Sequence, residues 1–470
     1  MRAPLLTLVR RELRLNPHSM LGPVLVAASA AVFAHAAAVF ALRAAGPEGR
    51  AWRAEYAEAT GEAIPSVGED IAGAAMILTA VAIPTIIVLG SVGSAVVRSM
   101  SGALVRWRLA GVTPAQSATV VVGQVLASAV VGACLGVLVS LPLLPTLMDP
   151  VFTMAAAGDA TPAASVASAG MAVAAVAGIS LFGTIRPART VGTIQPSLVL
   201  RDVEVEPRRP GVARAVVAAG LAAGACAMIG SSFGISSGTD TSSAFNNLMG
   251  AGSLLICAIA AGAPWIVPAL ARVLAAIPSA ASPAFFVAHK RISAHPRQAT
   301  SATLPVFVAA GMASMFSGML GTWQRALTDS GSTEQLNTSD TIVLLTPPAV
   351  IGIVGAACHM LLARNRWLTE FAKLRVAGMR PRAVIGSSVA EAVLGACVVL
   401  LLSLGVSAVV ATLTAHALTV TADLAARPAT DWALIGAIVA VGMAATAAVN
   451  LSAALAANRG NPREKLARAA

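Results

Sequence analysis

Charge is scarce in this sequence. Only 11% of its 470 residues are Asp, Glu, Lys or Arg, where a soluble chain carries about 25%. With 57% hydrophobic residues and a mean hydropathy of +0.80, that deficit excludes an ordinary water-soluble domain. Cysteine is limited to Cys134, Cys226, Cys257, Cys358 and Cys397. All five lie in apolar runs and none has a CxxC partner, so neither a disulfide framework nor a metal site is indicated. Lysine occurs at Lys290, Lys373 and Lys465 alone. None of the three follows a glycine-rich loop that would cradle phosphates. The chain is therefore expected to bind no cofactor and to hydrolyse no ATP itself. No catalytic constellation is present. The six histidines are scattered, and His35 and His359, inside apolar runs, read as packed residues. A pI near 10.8 invites a nucleic-acid partner. The basic residues sit between apolar runs, however, where they set topology in a membrane, and no nucleic acid is expected.

What the chain does have is apolar blocks near the length of about 20 residues that crosses a bilayer. Ten are expected, roughly at 21–42, 71–97, 116–145, 164–184, 213–231, 249–272, 301–320, 341–362, 384–412 and 432–453. The first is long enough to remain a span rather than a cleaved signal. With the N-terminus inside, the inner segments hold 27 of the 32 lysines and arginines. The outer loops hold Arg43, Arg50, Arg53, Arg325 and Arg427, together with 14 of the 21 acidic residues. Dropping one span would invert every later loop and destroy this bias. The fold class is thus an all-α polytopic membrane protein with both termini cytoplasmic.

The segment Arg106-Trp107-Arg108-Leu109-Ala110-Gly111-Val112-Thr113-Pro114 has an echo 267 positions later, Lys373-Leu374-Arg375-Val376-Ala377-Gly378-Met379-Arg380-Pro381. Beyond the prolines, Gln124 falls on Glu391. The lead-in Arg10 to Pro17 resembles His289 to Pro296, and Ile194-Gln195-Pro196-Ser197-Leu198 after the fourth span resembles Gly460-Asn461-Pro462 after the tenth. Recurrence of ordered motifs signals a copied unit. The expected organisation is a four-span unit over 1–205, two connecting spans over 206–279 and a second four-span unit over 280–470. Two connecting spans make the units parallel, related by a pseudo-two-fold along the membrane normal.

These motifs resemble the FtsX/MacB-like permeases of ABC transporters (type VII). That family has a basic stretch ending in Leu/Val-Ala-Gly before a proline, and a Pro-x-x-x-Leu tail after the fourth span. The ten-span layout is similar to bacitracin-export permeases. Such relatives usually carry a large extracellular domain, whereas the loops here span only about 43–70 and 321–340. The resemblance implies a permease subunit in a bacterial plasma membrane, partnered by two copies of a cytoplasmic ABC ATPase that holds ATP and Mg. It implies export or extraction of an amphipathic substrate such as a peptide antibiotic. Alternatives are a mechanotransmission subunit acting on a cell-wall enzyme or sensor, and an ion-driven secondary transporter.

The ATPase-docking candidates are therefore Arg106, Trp107, Arg108, Leu109, Gly111 and Pro114 in one loop, and Lys373, Leu374, Arg375, Val376, Gly378 and Pro381 in the other. The four cations would pair with acids on the partner. Trp107 and Leu109, or Leu374 and Val376, would anchor in an apolar pocket. Glu391 is the only acidic residue expected within a span, and with Gln124 it is a candidate for intramembrane gating. Gly132-x-x-x-Gly136 and Gly220-x-x-x-Gly224 suggest close helix approach. Pro84, Pro305, Pro347 and Pro348 fall within spans, where proline can kink a helix.

Overall fold

A computed structural model describes residues 17–60, 67–153, 164–191, 211–236, 241–275, 282–294, 296–331 and 338–458. Those residues form thirteen helices and no strand. The lead-in from Arg10 to Asn16 and both tails after the fourth and tenth spans lie outside them. In chain order the helices are α1 (Pro17–Ala45), α2 (Pro47–Thr60), α3 (Val67–Ser99), α4 (Ser101–Leu109), α5 (Pro114–Thr153), α6 (Val166–Val191) and α7 (Val212–Phe233). They continue with α8 (Thr241–Ala275), α9 (Pro283–Ala294), α10 (Pro296–Asp329), α11 (Thr338–Val376), α12 (Pro381–Thr421) and α13 (Trp432–Asn458). Ten are long and apolar enough to cross a membrane: all except α2, α4 and α9. The chain is an all-α, multi-pass membrane protein.

The packing follows the same plan at both ends. Helix α1 packs on α3, α5 and α6, and α6 also packs on α3 and α5. Helix α10 packs on α11, α12 and α13, and α13 also packs on α11 and α12. The two bundles meet where α3 packs on α11, flanked by α1 against α11 and α10 against α3. Helix α8 lies against α10 and α12, and α7 packs chiefly on α8. The core centres on α10, with Phe307, Met312, Met315, Phe316 and Met319 all buried.

Lipid is as apolar as leucine, so spans associate by close packing rather than by a hydrophobic drive. A methyl group added at Gly132 or Gly136 on α5 would collide with the carbonyl oxygens of Val24 and Ala28 on α1. That motif is a packing seam. The Gly220 motif is not: a methyl group at Gly220 meets nothing within 4 Å, and one at Gly224 meets only Leu254, at 3.5 Å. In the second bundle an added methyl at Gly352 on α11 would lie 2.7 Å from the Pro305 carbonyl oxygen on α10, and one at Gly318 on α10 would lie 3.1 Å from the Ser407 carbonyl oxygen on α12. The span prolines lie inside unbroken helices. Pro305 has no N–H to give the Ser301 carbonyl four residues back. Ser91 on α3 donates to that carbonyl at 3.4 Å and sits 3.2 Å from His359 Nδ1 on α11. Pro264 frees the Ala260 carbonyl likewise, and Arg214 on α7 donates to it at 3.2 Å and to the Ala261 carbonyl at 2.8 Å.

Candidate functional site

Both echoed stretches build the same turn. After Leu109, the N–H of Gly111 bonds the Arg108 carbonyl at 3.0 Å and the N–H of Val112 bonds the Trp107 carbonyl at 2.9 Å. After Val376, Gly378 bonds Arg375 at 3.1 Å and Met379 bonds Leu374 at 3.0 Å. This double pairing is the Schellman C-cap, which needs a residue in the left-handed region just past the helix. Gly111 has φ +89° and Gly378 φ +91°. Nothing crowds a methyl group at either, so backbone conformation, not space, calls for glycine. Pro114 and Pro381 then open α5 and α12, where the missing N–H costs nothing. Thr113 and Gln116 add a reciprocal cap, at 3.0 and 3.3 Å, to the first turn. Arg380, at the cap position of the second, makes no side-chain cap bond.

The helices entering the turns differ. Before the first turn the chain breaks at Met100, between α3 and α4; before the second, α11 runs through from its span. Ser99-Met100-Ser101-Gly102 stands where the echo has Arg366-Trp367-Leu368-Thr369. Ser99 turns its hydroxyl onto the Val96 carbonyl at 2.8 Å, a bond that competes with helix continuation.

The candidate side chains divide by direction. Arg106 and Lys373 are exposed, Leu109 is 64% exposed and Val376 50%. Trp107 instead packs against the cluster of Met20, Met100, Leu104 and Val191, and Leu374 against that of Trp367, Phe371 and Val384. Both side chains are partly buried and tie the turns to their own bundles. Arg108 donates to the Val191 carbonyl at the end of α6 at 3.0 Å, and Arg375 to the Met379 carbonyl at 2.8 Å. The outward set is Arg106 and Leu109 on one turn, Lys373 and Val376 on the other.

Glu391 belongs to an ion cluster. Arg291 on α9 donates to Glu370 on α11 at 2.7 Å and lies 3.6 Å from Glu391 on α12. Its guanidinium stacks 4.4 Å from the Trp367 ring centre and 4.9 Å from that of Phe371. Neither Arg291 nor Glu370 stood out in the sequence. The signal for Glu370 was its place between Trp367 and Phe371, one helical turn apart. Gln124, at the matched position of the first bundle, is fully buried, and among the described residues neither of its amide atoms has a hydrogen-bond partner. His35 is a packed histidine bonded to Ser140 at 2.6 Å and Ser168 at 3.0 Å. Among the described residues no three His, Cys, Asp or Glu side chains gather as metal ligands. No protein-family model, curated protein or solved structure matches the chain.

Proposed function

We propose that this chain is the membrane-spanning permease subunit of an ATP-driven transporter, similar to the FtsX/MacB-like permeases. In this reading it is a duplicated four-span unit, and the two turns face the cytoplasm. One copy of a separate ATPase, carrying ATP and Mg, docks on each. The carrying observation is the pair of turns with matching hydrogen bonds, each presenting a cation and an aliphatic side chain outward, Arg106 with Leu109 and Lys373 with Val376. A loop that only fixed orientation would need positive charge, not a repeated glycine cap and an exposed leucine or valine. Hydrogen bonds from Arg108 and Arg375 to their own chain brace the turns under load. Ten largely apolar spans offer few polar partners at mid-membrane, which suits an amphipathic substrate entering from the lipid. The outer loops, richer in acids than in bases, favour a cationic one by steering.

The test is the double variant Leu109→Asp, Val376→Asp. Each exposed anchor contributes on the order of 1–2 kcal/mol, so the double variant should lose about tenfold or more in ATPase retention. The chain should still insert, and each single variant should be milder. Undiminished co-purification of the ATPase would remove the turns as the contact.

A further inference from the structure

Helix α9 sits at the turn-bearing end of the second bundle and has two unlike faces. Ala288 and Ile292 are buried against the bundle, and Arg291 bonds Glu370. These contacts fix the roll of the helix. The opposite face carries Phe286 and Lys290, both exposed. Four residues apart, they lie one above the other on that face. The Lys290 ammonium leans back over the Phe286 ring, 5.6 Å from its centre. It is thereby drawn toward the N-terminal half of α9.

That half touches α12 at Gly386, where an added methyl group would lie 3.2 Å from the Ala284 side chain. Arg382, one turn before Gly386, is exposed. Val389, seven residues on, shares its face of α12. From Val389 the face continues through Val393 and Cys397 to Leu401, all exposed, at four-residue spacing. At 1.5 Å per residue this apolar strip is about 18 Å long. Cations from two helices thus flank the foot of an apolar strip on a spanning helix. Among the described residues, the acids at this end of the molecule are Glu370 and Glu391, and both are largely buried beside Arg291.

We propose that the groove between α9 and α12 binds one acidic phospholipid, its phosphate held by Lys290 and Arg382 and an acyl chain laid along Val389, Val393 and Leu401. An arginine fork matches phosphate oxygens. Two cations with no exposed acid beside them favour a headgroup of net negative charge over one that also carries an ammonium. An exposed phenylalanine beside an exposed lysine suits the boundary between acyl chains and headgroups. A soluble acidic segment would satisfy the cations but leave the apolar strip uncovered, whereas a lipid covers both. The inference stands independently of ATPase docking.

The test is native mass spectrometry of the full chain in neutral detergent, titrated with phosphatidylglycerol or phosphatidylcholine of the same acyl chains. The first phosphatidylglycerol should bind at least tenfold more tightly than the first phosphatidylcholine. Lys290→Gln and Arg382→Gln should each weaken it about fivefold, and the double variant more than tenfold. Arg189→Gln, which removes an exposed cation from the end of α6, should leave it unchanged. Thermal melting reports whether each variant is folded, and the preference of the wild type decides the matter if the double variant is not. Equal affinity of the wild type for the two lipids, or unchanged binding by a folded double variant, overturns the proposal. So does full displacement of the lipid by glycerol phosphate or by a soluble glutamate peptide, because the groove would then be a phosphate site or a protein-docking surface.

Discussion

Replacing Arg291 by methionine keeps an unbranched stem against Trp367 and Phe371 and removes a guanidinium that lies 2.7 Å from Glu370 and 3.6 Å from Glu391. The three side chains are 12%, 15% and 13% exposed, so solvent screens them little. Breaking a buried pair by removing one partner costs about 3–5 kcal/mol, because the charge left behind is uncompensated. Stacking of the guanidinium on the rings 4.4 and 4.9 Å away falls within that sum, being worth about 1–2 kcal/mol when desolvated. The expected loss for Arg291→Met is therefore about 3–5 kcal/mol. The triple variant Arg291→Met, Glu370→Gln, Glu391→Gln removes the stranded charges and should recover most of it. Arg291→Lys keeps the charge but not the fork that reaches two carboxylates, and should fall between. Unfolding in mixed detergent micelles, in choline chloride, gives the differences. If Arg291→Met costs under about 1 kcal/mol, or the triple variant is no better than the single, the cluster is not an electrostatic clamp.

Two further outcomes follow from the packing and the surface. Gly136→Val should force α5 off α1 and cost about 1–3 kcal/mol in the same unfolding assay, whereas Gly220→Val, in open space, should cost almost nothing. Cells carrying the chain with its ATPase should survive cationic amphipaths better than cells without it, across a panel that includes neutral lipophiles and hydrophilic solutes; protection confined to hydrophilic solutes would defeat the substrate reading.

The spans were legible because apolar runs of bilayer length, separated by charged loops, leave few alternatives. The turns were legible in outline, since Gly111 and Gly378 at matched positions before Pro114 and Pro381 announce a helix stop and restart. Which side chains face outward was not legible. A nine-residue helix such as α4 has almost no apolar face of its own, and Trp107 is drawn inward by Met20, Val96 and Val191 from three other helices. Glu391 was visible as a lone carboxylate in a span, but its partner was hidden. Arg291 read as one more topological cation, and only the fold brings α9 against α12. Gly220 and Gly224 show the converse: a motif common in glycine-rich chains, here on the least buried of the ten candidate spans among the described residues.

The central claim is that one chain carries both docking turns. Native mass spectrometry of the complex, purified from membranes with its ATPase, tests it most directly. The account predicts one 47.0 kDa chain bound to two ATPase subunits, and stepwise loss of one and then both when Leu109→Asp and Val376→Asp are introduced singly and together. A stable assembly of two copies of this chain with two ATPase subunits would contradict it.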